Sequence, residues 1–160
     1  MLKHFKYAGY LIRHKYWVYK AGRCLGVPTW RLLVHDWTKL MPCEWTPYAN
    51  FFNSKRTEAV KAAFRQAWRH HVDHNPHHWN YWETKGENGT PAEMPWAYTV
   101  EMVADWAGAG RAITGAWELI TWYDENEAKI KLHPNTKFAV HSILTFWKHF
   151  VAPHLSPECP

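Results

Sequence analysis

Apolar residues recur at every third or fourth position along nearly the whole chain, and the strict alternation of a half-buried strand is almost absent. The pattern predicts an all-α fold. Over residues 2–21, Phe5, Ala8, Leu11, Ile12, Tyr16 and Tyr19 trace one helical stripe that ends at Gly22 and Gly26. Pro28 suits the first turn of a second helix, with Trp30, Leu33, Val34, Trp37 and Leu40 as its packing face and Pro42 as its stop.

A short third helix is expected over residues 44–52. Residues 57–74, TEAVKAAFRQAWRHHVDH, carry the strongest helical signal, with Thr57 as N-cap and alanines throughout. Asn75-Pro76 breaks it, because the residue before a proline avoids the helical region. A short helical piece follows over 77–84, and KGENGTPAEMP, residues 85–95, reads as a loop. Helices resume near Trp96, over 116–130 and over 135–151, and Gly108, Gly110 and Gly115 weaken the far end of the first of these. YDENEAK, residues 123–129, reads as a solvated helix face, and Trp96, Trp106, Trp117, Trp122 and Trp147 as packing. The sum is one compact helical domain of six to eight helices over residues 1–152, with an irregular tail at 153–160.

Twelve histidines and twelve tryptophans among 160 residues far exceed average usage. The formal charge of +5 favours an anionic partner. Cys24, Cys43 and Cys159 are odd in number and lack C-x-x-C spacing, so neither a disulfide framework nor a zinc knuckle is indicated, which fits a reducing cytoplasm. Lys3, His4, Lys6, Arg13 and His14 interrupt the N-terminal segment, and no membrane span or cleaved leader is expected. Surplus aromatic surface offers a homodimer interface.

The chemistry concentrates in three places. LLVHDWTKLM, residues 32–41, sets His35-Asp36 inside an apolar run, with Lys39 on the same side and Arg31 and Lys39 bracketing the polar edge. HHVDHNPHHW, residues 70–79, holds five histidines. There His70 and His74 are spaced i, i+4, His71 continues the stripe of Phe64 and Trp68, and His77 and His78 follow the proline break. His14 lies on or beside the inner stripe of the first helix, and Asp105 lies between Val103 and Trp106, where a semi-buried carboxylate needs a cation or several donors. Glu101, one turn before Asp105, is suited to orienting a ligand or a water. No Gly-rich phosphate loop, G-x-S-x-G elbow or H-E-x-x-H motif is present, which removes those enzyme classes.

Taken in order, His14, His35-Asp36, the 70–78 cluster and Asp105 resemble the HD-domain superfamily of metal-dependent phosphohydrolases, and HDWTK resembles the HD-x-x-K form of the HD-GYP branch, although the G-Y-P element is missing. LGVPTWRLLVHDWTK, AWRHHVDHNPHHWNYW and EMVADWAGAGRAITG are similar to stretches of a family of small phage and bacterial proteins, which implies a host cytoplasm where the gene is phage-encoded. The superfamily resemblance implies His14, His35, Asp36 and Asp105 as metal ligands, with His71 and His78 as additions. One or two divalent transition ions (Mn, Fe, Co, Ni or Zn) suit such a mixed donor set. The expected activity is hydrolysis of a nucleotide or related small phosphate ester. Asp36 or Asp105 would orient water, Lys39 would stabilise phosphoryl charge, and His70, His71 or His74 would protonate the leaving oxygen. The alternatives are a nucleic-acid-binding protein with structural histidines, and an inactive protein that retains a nucleotide.

Overall fold

The computed structural model describes residues 1–155, and within them the protein is all-α. The helices are α1 (Leu2–Cys24), α2 (Thr29–Val34), α3 (Pro42–Asn53), α4 (Glu58–His74), α5 (Trp79–Glu83), α6 (Trp96–Thr114), α7 (Leu119–Asn126) and α8 (Pro134–Phe146). A 3₁₀ turn over Trp37–Leu40 joins α2 to α3, and α8 runs on through a π-helical turn, Trp147–Val151, into a short 3₁₀ turn at Ala152–His154. That last turn takes up the start of the expected irregular tail, while residues 156–160, and Cys159 with them, lie outside the described residues. No described helix is long and apolar enough to cross a membrane. Cys24 and Cys43 are exposed free thiols.

The long helices α1 and α6 pack against each other and carry the framework. Gly108 makes their close approach possible: a Cβ there would lie 2.4 Å from the backbone nitrogen of Val18. The sequence reading of Gly108 as a weakness in α6 is thus corrected, since it is the contact point of the two helices. Gly115, with φ of 79°, closes α6 in the left-handed conformation that suits glycine at a helix end. Thr57 caps α4 as expected, its side chain accepting from the Val60 N–H.

Apolar burial falls into two clusters. The larger joins Val18 and Ala21 of α1 to Val103 and Ala107 of α6, Tyr123 of α7 and Val140 and Trp147 near the C-terminal end. The smaller holds Tyr7, Tyr48, Ala49 and Ala67. The buried stripe of α1 is therefore Tyr7, Leu11, His14, Val18 and Ala21, and His14 falls between the residues of the two clusters. Phe5, Ile12 and Tyr16 face solvent, against the predicted stripe. Aromatic bulk drew that stripe around the wrong side, whereas the true one accepts a histidine because the interior beside it is polar. Tyr123 is likewise buried rather than part of a solvated face, and Trp96 is largely exposed rather than packed.

The second helix differs most from expectation. It ends at Val34, Asp36 takes a left-handed conformation (φ 57°, ψ 25°), and the chain re-forms as a 3₁₀ turn. Asp is among the few residues that visit this region without glycine's freedom. The break inverts the predicted face: Leu32, His35, Asp36, Thr38 and Lys39 are buried, while Trp30, Leu33, Val34, Trp37 and Leu40 are exposed. Pro42 then opens α3 at its first position rather than stopping α2.

Candidate metal centre

His35 and Asp36 are carried inward by the break between α2 and the 3₁₀ turn, and meet His14 of α1 and Asp105 of α6. Ligand atoms of His14, His35, Asp36 and Asp105 all lie within 4.8 Å of one another, and all four residues are buried. His14 Nε2 donates to Asp36 Oδ2 at 2.8 Å and lies 3.4 Å from Asp105 Oδ1. His35 Nε2 lies 3.4 Å from Asp36 Oδ2 and 3.3 Å from Asp105 Oδ1. Donors about 2.1 Å from one ion are themselves roughly 3.0–3.4 Å apart at the edges of an octahedron or tetrahedron. These spacings fit that geometry.

A second group shares the same carboxylate. Asp36, His71, His77 and His78 also bring one ligand atom each to within 4.8 Å of the rest. Here the other oxygen is used: His71 Nε2 and His77 Nε2 stand 3.2 Å and 3.3 Å from Asp36 Oδ1, and His78 Nε2 stands 2.8 Å from His71 Nε2. Proximity is not satisfied by hydrogen bonding, because Asp36 Oδ1 and His77 Nε2 remain buried without a hydrogen-bond partner. Buried polar atoms left in that condition are rare and point to a missing cation or water. The donor set of each group is a mixed imidazole and carboxylate one, suited to a divalent transition ion.

An outer layer fixes these ligands from behind. Glu101 Oε1 lies 3.0 Å from His35 Nδ1 and 3.4 Å from His77 Nδ1, and its other oxygen accepts from Arg31 Nε at 2.5 Å. Arg31 in turn lies over the Tyr98 ring, 4.1 Å from its centroid. His35, His77 and Glu101 could themselves hold an ion. An ion on both Nδ1 atoms, with others on both Nε2 atoms, would strip each imidazole of both protons beside a guanidinium, so a proton-accepting role for Glu101 is favoured. Glu44, fully buried, does the same for the second group: Oε2 lies 3.0 Å from His71 Nδ1 and accepts from Thr38 Oγ1, and Oε1 lies 2.6 Å from His70 Nδ1. Carboxylates behind ligating histidines set which nitrogen faces the metal.

The electrostatics follow from burial and neighbours. Burial alone would raise Asp36, but His35, Lys39 and His71 hold it well below the usual carboxylate range. Asp105 is also held well down against its burial, chiefly by His35 and His14. Glu101, despite its burial, is lowered to about 2 by His35 and His77. His35 rises well above the ordinary imidazole value because Asp36, Asp105 and Glu101 outweigh its burial. Burial lowers His14, with Lys39 adding to it, and lowers His78 strongly, with His77 and His71 adding to it. These directions favour the protonated form of His35 and the neutral imidazole at His14 and His78; a metal ligand must shed its proton at the ligating nitrogen.

Of the residues singled out from sequence, His14, His35, Asp36, Asp105, His71 and His78 gather here. Lys39 is buried against Asp36, its Nζ donating to Oδ2 at 2.5 Å, so its charge is directed at a ligand rather than at an open phosphoryl position. His70 and His74 stand outside both groups: their rings stack on each other at 4.2 Å, His70 is turned to Glu44, and His74 Nδ1 is bonded to the His70 carbonyl. Their i, i+4 pairing is real but faces the surface of α4. His77, one of the five clustered histidines but not one of the two singled out as additional ligands, joins the second group. Glu44 carried no signal beyond that of an acid in a helix's first turn.

A model for a family described as "Family of unknown function (DUF5662)" matches residues 3–146. The chain belongs to this family. Every ligand candidate of this DUF5662 chain, with Glu44 and Glu101, lies inside the matched span. No curated protein and no solved structure matches it. For this DUF5662 protein, Glu101→Gln is expected to weaken metal binding at both groups by about 10–100-fold with the helical CD spectrum unchanged. Titration with Mn²⁺ measures it, and an unchanged affinity at both would remove Glu101 from the centre's supporting layer.

Proposed function

We propose that this protein is a metal-dependent phosphohydrolase of the HD-domain kind, acting on a nucleotide or related small phosphate ester. The observation that carries the reading is the position of Asp36: one carboxylate oxygen faces His14 and His35, which Asp105 also approaches, and the other faces His71 and His77. A shared carboxylate between two histidine-containing donor groups is suited to two ions side by side. Bound divalent ions supply Lewis acidity, lowering the pKa of water and drawing charge from a phosphoryl oxygen.

The chain's own residues have separable roles in this reading. His14, His35, Asp36 and Asp105 hold one ion, and Asp36, His71, His77 and His78 hold the other. Asp105 is ionised and its side chain is 10% exposed, so its carboxylate can accept a hydrogen bond from a water and orient it toward phosphorus. Lys39 keeps Asp36 charged and fixed in the interior. In the net reaction the water oxygen bonds to phosphorus, the ester P–O bond breaks, and the leaving oxygen gains a proton. His70 and His74 stand outside both donor groups, and in the net balance the proton gained by the leaving oxygen is the one that the attacking water gives up.

Loaded with Mn²⁺ and offered nucleoside mono-, di- and triphosphates together with simple sugar phosphates, the protein is expected to release phosphate or pyrophosphate from at least one. EDTA should stop the release. A protein that retains metal and binds a nucleotide yet liberates neither product would replace hydrolysis with a nucleotide-holding role.

A further inference from the structure

A cavity of about 800 Å³ opens between the N-terminal half of α1 and the C-terminal ends of α3 and α6. Phe5, Tyr10, Phe52 and Ile113 give it aromatic and aliphatic walls, and Lys6 and Arg13 give it two cations. Among the described residues, no acidic side chain lines it. Its volume is within the range of small-molecule sites, and its composition selects a ligand that is flat or apolar at one end and negative at the other.

Tyr10 lines the cavity and touches the candidate centre at His14, although no candidate ligand itself lines the cavity. The Tyr10 ring is one helical turn before His14 and stacks on it with 6.0 Å between centroids, and it lies 6.1 Å from the Phe52 ring. Tyr7, also in the lining, has a buried hydroxyl without a hydrogen-bond partner. Phe5, 70% exposed, and Ile113, 69% exposed, are apolar residues turned to solvent around this opening, where a ligand would cover them.

We infer that this cavity is a binding site for an aromatic phosphate ester, its ring held by Phe5, Tyr10 and Phe52 and its phosphoryl charge met by Arg13 and Lys6. The inference is separate from the hydrolytic reading, and it is tested without metal or turnover.

The probe is 1-naphthyl phosphate, with inorganic phosphate as its comparison, titrated by calorimetry into the full-length protein stripped of metal. The aromatic ester is expected to bind about tenfold or more tightly than inorganic phosphate, the scale of one stacked ring. Ile113→Trp fills the cavity from an exposed position and should weaken the ester about tenfold with CD unchanged, and Arg13→Gln should weaken the ester but not 1-naphthol. Equal ester binding by the parent protein and Ile113→Trp, or no preference for the ester over inorganic phosphate, would overturn the assignment. Metal content of Ile113→Trp, expected to equal the parent's, separates this result from failure of the centre. A parent protein that binds no metal defeats the hydrolytic reading, whereas the cavity's assignment stands or falls on the ester titrations alone.

Discussion

Asp36→Asn is expected to empty both metal groups at once and to lower phosphate release by about a thousandfold. The reason is that both ligand groups draw on one carboxylate. Asparagine keeps the shape and one carbonyl oxygen but loses the charge and the second acceptor, so neither cation retains its shared ligand. Asp36→Ala is the less informative variant. Both variants leave the Lys39 ammonium buried without its carboxylate partner, a defect that costs about 3–5 kcal/mol when a buried pair is broken from one side, but alanine also removes the oxygen to which Lys39 can still donate in asparagine. Elemental analysis and phosphate release, read beside the CD spectrum, distinguish the two. One ion retained in Asp36→Asn would mean that the carboxylate is not shared.

Gly108→Ala is expected to destabilise the protein by about 3 kcal/mol, the upper part of the range for overpacking a tight core, and so to lower Tm by roughly 6–12 °C at this chain length. The added methyl carbon would stand 2.4 Å and 2.6 Å from the backbone nitrogen and Cα of Val18, and backbone cannot turn aside as a side chain can. Helices α1 and α6 would have to separate. His14 is one turn from Val18 and Asp105 is three residues from Gly108, so the 3.4 Å spacing between their ligand atoms would open as well. Gly110→Ala is the internal comparison, because a Cβ there meets nothing within 4 Å and alanine favours a helix by about 1 kcal/mol over glycine. Thermal unfolding that treats the two variants alike would show that the crossing at Gly108 is looser than the structure has it.

The ligand candidates were legible because their residue types are costly inside a helix bundle. A histidine at position 14 beside an apolar stripe, a His-Asp pair in an apolar run, and a carboxylate between Val103 and Trp106 each demand a partner, and the partners are one another. Helix existence was also readable from periodicity, most plainly in α4 with its Thr57 cap. The face of α2 was not. A continuous helix through residues 30–40 puts Trp30, Leu33, Val34, Trp37 and Leu40 inward, and only the left-handed residue at Asp36 reverses them. Backbone conformation at a single aspartate leaves no trace in hydrophobic spacing. His77 was hidden for a related reason: the turn after Pro76 decides which of the five histidines point inward, and turn geometry is set by tertiary contacts such as Asn75 Nδ2 donating to Thr38 Oγ1 at 2.8 Å.

The supporting carboxylates divide in the same way. Glu101 stands one turn before Asp105 on the same helix, so its role behind the ligands follows from spacing once Asp105 is placed. Glu44 reaches His71 from a different helix, and nothing local distinguishes it from an acid that favours a helix N-terminus.

The most direct measurement is the number of Mn²⁺ ions held per chain after the unmodified protein is loaded and freed of excess metal by gel filtration. Two ions per chain, both lost in Asp36→Asn, is the result expected from donor groups that share the two oxygens of one buried carboxylate. No bound ion, or two that persist in that variant, would contradict it.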